Sequence, residues 1–282
     1  MKTLILAFAL LTFINSNAQD IKKNIQDNIH EISINPEDTS YADLSYLAEA
    51  IKNVRVVMLG EQDHGDGTTF LAKTRIVKFL HEKLGYNVLA FESDFLSVNL
   101  AWSQVEEKKI SVKEAINRNI YPVWTNCSQC DGLFKYIEAI SGTPDPLKLT
   151  GFDNQLTGVT GYLNIKNILL DSIKHYDPAF LENQGVSFSL KIDTAVDLLG
   201  GKSQIKNINK KEFYKSFIKS LSVIEERVAK VTTADNSFLI LIKSIKSFYT
   251  EIEHLINNEK LSTGQERDHQ MAENLEWIIQ TK

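Results

Sequence analysis

Residues 54–95 read VRVVMLGEQDHGDGTTFLAKTRIVKFLHEKLGYNVLAFESDF, and this stretch decides the predicted fold. Residues 54–59 form a β-branched run that ends at a glycine, which predicts a buried strand. Apolar residues over 68–84 repeat at helical spacing, and Gly85 follows where a helix-ending glycine is expected. Residues 87–91 predict a second strand. A strand, a helix and a strand in this order predict a parallel pair whose connecting helix covers one face.

The remaining sequence extends this pattern up to a third strand and then changes. The third strand is predicted over residues 147–152. Helices are predicted before the first strand, between the second and third strands, and in the second half, over residues 20–53, 96–105, 112–116, 133–140, 163–173, 211–231 and 236–257. The expected fold class is therefore α/β, with a mainly parallel sheet flanked by helices and a large helical second half.

This pattern divides the chain into four predicted segments. Residues 1–18 form a signal peptide, and residues 19–159 form an α/β core with the catalytic loops. Residues 160–260 form a helical segment, with a polar connection near its middle, and residues 261–282 form a helix that returns to the core.

The N-terminus has the pattern of an export signal. A lysine at position 2 precedes the apolar run LILAFALLTFI at 4–14, and Ser16 and Ala18 supply small residues before a cleavage point. The alternative is an N-terminal anchor helix, although the run is short for a membrane span. We expect export to the periplasm or the medium, with no membrane attachment after cleavage.

The composition limits the classes of partner. The 282 residues contain 31 Lys and Arg and 36 Asp and Glu, which gives a net charge of −5. An acidic chain without a basic block is not expected to bind nucleic acid by electrostatic attraction. The two cysteines, Cys127 and Cys130, are too few for a four-ligand zinc site. In an oxidising compartment they could form a disulfide, and a structural role is favoured over redox chemistry.

Acidic side chains follow each of the three predicted strands. Glu61 and His64 follow the first, Glu92 the second and Asp153 the third. Ligands of parallel sheets bind at the carboxyl ends of the strands. A histidine beside carboxylates can act as a general base that activates water. The alternative is that acidic residues here, such as Asp66 and the aspartates after the second and third strands, cap helices or form turns.

Cations on two predicted helices are candidates for the same site. Lys73 shares the apolar face of the helix over 68–84, and Arg75 lies on a neighbouring stripe, so either could hold a substrate carbonyl oxygen or stabilise an oxyanion. In the last helix, Thr263 and Glu266 have capping-box spacing. Arg267 and Asp268 extend its buried stripe towards the helix start, either as a structural ion pair or as part of a polar site.

Three segments together resemble the erythromycin esterase family. They are LGEQDHGDGTTFLAKTRIVKFLHEKLGYNVLAFESDF at 59–95, LTGFDNQ at 149–155 and RDHQMAENLEWII at 267–279. The first resembles the family's Gly-Glu-x-x-His-Gly loop, Lys-x-Arg helix and strand ending in Glu, and the likeness extends over about residues 40–282. It implies an α/β protein with a helical insertion. Some members hydrolyse the lactone ester of macrolide antibiotics, which implies antibiotic resistance as one biological role.

The resemblance implies a role for each matching residue. His64 would activate water as the general base, Glu61 would orient it, and Glu92 would complete the carboxylate pair. Lys73 falls where the family has Lys or Arg. No cofactor is expected, although Glu61, His64 and Glu92 are residue types that could hold a divalent metal.

One departure from the family pattern affects the functional expectation. The family places a further strand with a His-Asn-x-His motif after the RDxxMAEN helix, and none of the six histidines here stands in such a motif. We therefore expect an exported hydrolase of a lactone or other carboxylic ester, with a small-molecule substrate. The alternatives are a non-catalytic metal- or ligand-binding protein on the same scaffold, or an inactive truncated member.

Overall fold

The structure, a computed structural model, describes residues 21–61, 63–201 and 208–282. The predicted signal peptide at 1–18 and most of the polar connection at 202–211 lie outside the described residues. The two strands are β1 (Val88–Asp94) and β2 (Lys148–Asp153). The helices after residue 40 are α1 (Ser45–Ile51), α2 (Gly67–Leu84), α3 (Phe95–Glu106), α4 (Val112–Asn119), α5 (Pro122–Thr125), α6 (Asp131–Ile140), α7 (Val159–Tyr176), α8 (Pro178–Leu199), α9 (Lys210–Ala229), α10 (Ser237–Ile256) and α11 (Lys260–Thr281).

The sheet is parallel but small. Val88 pairs with Lys148 at one end and Asp94 with Asp153 at the other, and the register shifts between Phe91 and Asp94. Among the described residues the sheet has two strands. The prediction of a mainly parallel sheet flanked by helices is therefore confirmed only in part, because helices dominate the structure.

The predicted first strand, residues 54–59, is wrong. This segment has no regular secondary structure, and among the described residues no backbone hydrogen bond joins residues 55–61 to another backbone group. A cavity of about 720 Å³ lies between the segment and β1. The β-branched run matches the composition of a strand, but a strand also needs a neighbour at hydrogen-bonding distance, about 4.8 Å away.

Two hydrophobic cores support the two halves. In the first half, Ile137 of α6 and Leu149 of β2 are 0% and 2% exposed, and they pack with α3 and α4. In the second half, α7 to α10 bury a separate apolar cluster that includes Leu169 and Ile242. Among the described residues, no helix is long and apolar enough to span a membrane.

The helix ends confirm the predicted bounds of α2 and correct the predicted start of the last helix. Asp66 caps α2 by accepting a hydrogen bond from the Thr69 N–H, and Gly85 ends this helix at a φ of 73°. The last helix begins at Lys260, earlier than the predicted capping box. The Thr263 hydroxyl instead donates to the Glu259 carbonyl oxygen within the first turn.

Helix α8 was absent from the sequence prediction. Its sequence contains Gly, Ser and β-branched residues that weaken helix propensity. The helix forms because Asp177 caps it, Pro178 occupies its first turn, and Phe188 and Ile192 are buried against the neighbouring helices.

Candidate functional site

The Glu61–His64 pair lies in the loop that leads into α2. The Nδ1 atom of His64 lies 2.9 Å from Oε2 of Glu61. The His64 side chain is 72% exposed, and the Glu61 side chain is 18% exposed. The carboxylate fixes one ring nitrogen, so the other, Nε2, is left to exchange protons at the surface. Among the described residues, Oε1 of Glu61 is buried without a hydrogen-bond partner.

A second cluster forms where the two strands end. The Arg267 guanidinium of α11 contacts both strands, with Nη2 2.7 Å from Oε1 of Glu92 and 2.5 Å from Oδ2 of Asp153. Its Nε donates to the other Asp153 oxygen over 3.1 Å. The hydrogen bonds to Asp153 raise the pKa of Arg267, with Glu92 adding to the effect and burial opposing it. The structure thus joins three predicted residues in one ionic cluster.

The close approach of the two strand ends brings the carboxylates of Glu92 and Asp153 to Arg267. Glu92 lies within the irregular part of β1, between Phe91 and Asp94. Such bulges redirect side chains next to functional sites. On β2, a Cβ atom at Gly151 would collide with the Ser93 and Asp94 backbone, so only glycine allows the strand ends to meet.

The apolar cavity between residues 54–61 and β1 connects the two clusters. Glu61 and Glu92 both line it, and Lys73 lines it from α2. The Lys73 Nζ atom lies 5.4 Å from the centre of the Phe70 ring. Most of the remaining lining is apolar, and the volume of about 720 Å³ matches that of a small-molecule site.

Arg75 has a structural role in place of the predicted substrate contact. Its side chain is 1% exposed and bonds both carboxylate oxygens of Asp43, at 2.5 and 2.6 Å. It also donates to the carbonyl oxygens of Ser33, Asp38 and Ser40. The hydrogen bonds from Arg75 lower the pKa of Asp43 to about 2. Arg75 therefore ties the N-terminal segment to α2.

Asp268 is exposed, so the predicted buried Arg267–Asp268 stripe is wrong for its second member. The two aspartates that follow the second and third predicted strands have different roles. Asp94 is buried and caps α3 by accepting a hydrogen bond from Ser97, which confirms the capping alternative, and burial raises its pKa to about 6. Asp153 instead binds Arg267.

Both cysteines are free thiols, and burial raises the pKa of Cys130 to about 12.

Sequence reasoning missed three polar residues around Asp153. The Tyr121 hydroxyl donates to Oδ2 of Asp153 over 2.8 Å, and burial raises the pKa of Tyr121. Asn154 and Glu251 are 1% and 4% exposed and are hydrogen-bonded to each other. The sequence signal for Asn154 was its position after the third strand, whereas Glu251 lies inside a helix that reads as apolar.

The structure divides Glu61, His64 and Glu92, the residue types that could hold a divalent metal, between two clusters. Glu61 is paired with His64, whereas Glu92 is held by Arg267. Within the part of the chain that is described, no group of three or more His, Cys, Asp or Glu side chains is placed to hold a metal ion.

Similar proteins are found by sequence. No protein-family model matches the chain. It is 30% identical, over 99% of its length, to a Bacillus subtilis protein named "Putative hydrolase YbfO", and it spans 65% of that protein. It is 34% identical over 71 residues to an Escherichia coli protein named erythromycin esterase type II, which covers 25% of this chain and 17% of that one.

Solved structures share the fold. A Bacillus cereus protein covers 92% of this chain with a TM-score of 0.66 and 20% identity, and 62% of that chain is covered. The open conformation of a mutant erythromycin esterase, EreC, covers 88% with a TM-score of 0.63 and 16% identity, and 63% of that chain is covered. The sequence likeness is thus to a protein named as a putative hydrolase, whereas the likeness to the esterase EreC is one of fold.

Proposed function

We propose that the protein hydrolyses carboxylic esters, including lactones, with His64 as the general base. The observation that carries the proposal is the Glu61–His64 hydrogen bond of 2.9 Å, in a loop whose Glu61 lines the apolar cavity. The similar hydrolase and the fold neighbour that is an erythromycin esterase support the same class of reaction.

The proposed reaction begins with the imidazole of His64. With Nδ1 protonated and donating to Glu61, Nε2 removes a proton from water, and the hydroxide oxygen bonds to the ester carbonyl carbon. Glu61 stabilises the imidazolium that forms, as a carboxylate does for a catalytic histidine. The carbon–oxygen bond to the alcohol then breaks, and the alkoxide takes the proton from Nε2 of His64.

The other site residues position the substrate in this proposal. The Lys73 ammonium at the cavity wall stabilises the negative charge on the carbonyl oxygen. Arg267 is held by two carboxylates, so it serves to fix Glu92 and Asp153. The apolar cavity holds the hydrocarbon part of the ester. A macrolide lactone is one candidate substrate for this reaction.

The test is mass spectrometry of lactone and ester hydrolysis by the purified protein. We expect His64→Ala to lower the rate by a factor of about 10² or more, since general-base catalysis contributes this much. Because His64 is 72% exposed, its loss leaves the melting temperature unchanged. His269→Ala is the matched control, because that histidine is 74% exposed and its ring lies beside Glu273 of the same helix, 3.6 Å away, in place of Glu61. Equal rates in the wild type and His64→Ala contradict the proposed base.

Export is a separate part of the proposal. A signal peptide at residues 1–18 predicts that the mature protein begins at Gln19. N-terminal sequencing of protein from the periplasm or medium tests this, and full-length protein retained in cell membranes contradicts it.

A further inference from the structure

A buried polar seam joins the carboxyl end of β2 to the helical half. On α10, Ser244, Ser247 and Glu251 follow one another at helical spacing and are between 1% and 4% exposed. Asn274 of α11 donates to the Phe152 carbonyl oxygen over 3.0 Å and contacts Ser244 over 3.2 Å. A polar stripe of this kind inside an apolar interface is costly unless every group has a defined partner.

Asn154 is the point at which this seam meets the candidate site. Its side-chain amide donates to Oγ of Ser247 over 3.0 Å and to Oε1 of Glu251. Asn154 directly follows Asp153, whose side chain holds Arg267. The Ser247 hydroxyl donates to the Glu266 carbonyl oxygen over 3.4 Å, one residue before Arg267. The seam thus touches the backbone beside both members of the Asp153–Arg267 pair.

We propose that Glu251 is a positioning residue of the site, which acts through Asn154 to set Asp153 against Arg267. This inference deepens the proposed function and rests on it. The reason lies in the geometry, because Glu251 accepts a hydrogen bond from Asn154, the residue that directly follows β2. A rotation of Asn154 moves the Asp153 carboxylate, and with it the guanidinium that also holds Glu92.

The charge of Glu251 changes near neutral pH. Burial raises its pKa to about 7, the hydrogen bond from Asn154 opposes this rise, and the negative charge of Asp153 adds to it. From α11, Arg267 favours the charged form and Glu266 disfavours it. Protonation removes the charge that holds the Asn154 amide, so the placement of Asp153 is expected to depend on pH between about 6 and 8.

The test compares Glu251→Gln with the wild type. Glutamine keeps the shape and an acceptor for Asn154 but has no titrating proton. Glu253→Gln is the matched control, since Glu253 lies on the same helix and is only half-buried. NMR follows the Asn154 side-chain amide and the backbone amides of Asp153 and Gln155 from pH 5 to 9. The pH profiles of kcat and KM for ester hydrolysis are measured on the same proteins.

We expect one transition near pH 7 in these amides in the wild type and Glu253→Gln, and its absence in Glu251→Gln. We also expect the pH profile of kcat in Glu251→Gln to differ from that of the wild type between about pH 6 and 8, while KM changes less than twofold. Amides that do not titrate in the wild type, or an unchanged kcat profile in Glu251→Gln, overturn the inference. If the wild type hydrolyses no ester, the proposed function fails, and the NMR titration alone then decides whether Glu251 sets Asp153.

Discussion

Replacement of Arg75 by alanine tests whether this residue is structural. The guanidinium makes two short hydrogen bonds to Asp43 and three to carbonyl oxygens, at 1% exposure. Removing one partner of a buried ion pair costs about 3–5 kcal/mol, because the other charge and its acceptors lose their partners. The Asp43 side chain is 25% exposed and regains some water, so the lower end, about 3 kcal/mol, applies.

That loss is measurable by calorimetry and hydrogen exchange. For a chain of this size, about 3 kcal/mol lowers the melting temperature by roughly 6–12 °C. The amides of residues 33–43 are expected to exchange faster, since Arg75 bonds this segment to α2. The control is Arg118→Ala, which removes an exposed ion pair with Glu114 worth about 0.3–0.5 kcal/mol. A melting temperature within about 2 °C of the wild type, together with a tenfold rise in KM for an ester substrate, would refute the structural role.

Two further predictions concern stability. Gly151→Ala places a methyl group against the Ser93 and Asp94 backbone and should lower the free energy of unfolding by about 1–3 kcal/mol in urea titrations. The control is Gly142→Ala, because Gly142 has open space around it. Equal losses of unfolding free energy in both variants contradict the close approach of the strands at Gly151. The lowered pKa of Asp43 means that its stabilising effect is complete above about pH 4 and is lost as the pH falls towards 2. Urea unfolding should therefore show the difference between wild type and Asp43→Asn shrinking over that range, and a constant difference would count against the ion pair.

Local patterns predicted much of the fold. The helix over 68–84 and the strands over 87–91 and 147–152 correspond closely to α2, β1 and β2. These elements carry their signals locally, in apolar spacing, a capping aspartate and a terminal glycine. Residues 54–59 failed because strand pairing depends on a neighbour far along the chain, which local composition does not reveal.

The candidate site also contains residues that the sequence predicted and residues whose roles depend on distant partners. The contact between Glu61 and His64 was an expectation from the family resemblance, whereas the strand ends placed Glu92 near Asp153. Arg267 was found from its spacing on the last helix. Arg75 was misassigned because helical spacing shows which residues share a face, whereas its Asp43 partner lies 32 positions earlier on a separate segment. Glu251 gave no signal, because a glutamate in an apolar helix reads as an exposed residue until the partner is known.

The unpaired segment at residues 54–60 has a consequence for handling the protein. Met58 is 84% exposed, Val54 and Val56 are 44% and 37% exposed, and the backbone groups around them carry no sheet hydrogen bonds among the described residues. An apolar strand-like edge of this kind offers a template for pairing between molecules. We expect pairing at this segment to grow with protein concentration, so dilute solution is the expected safer state for purification and storage.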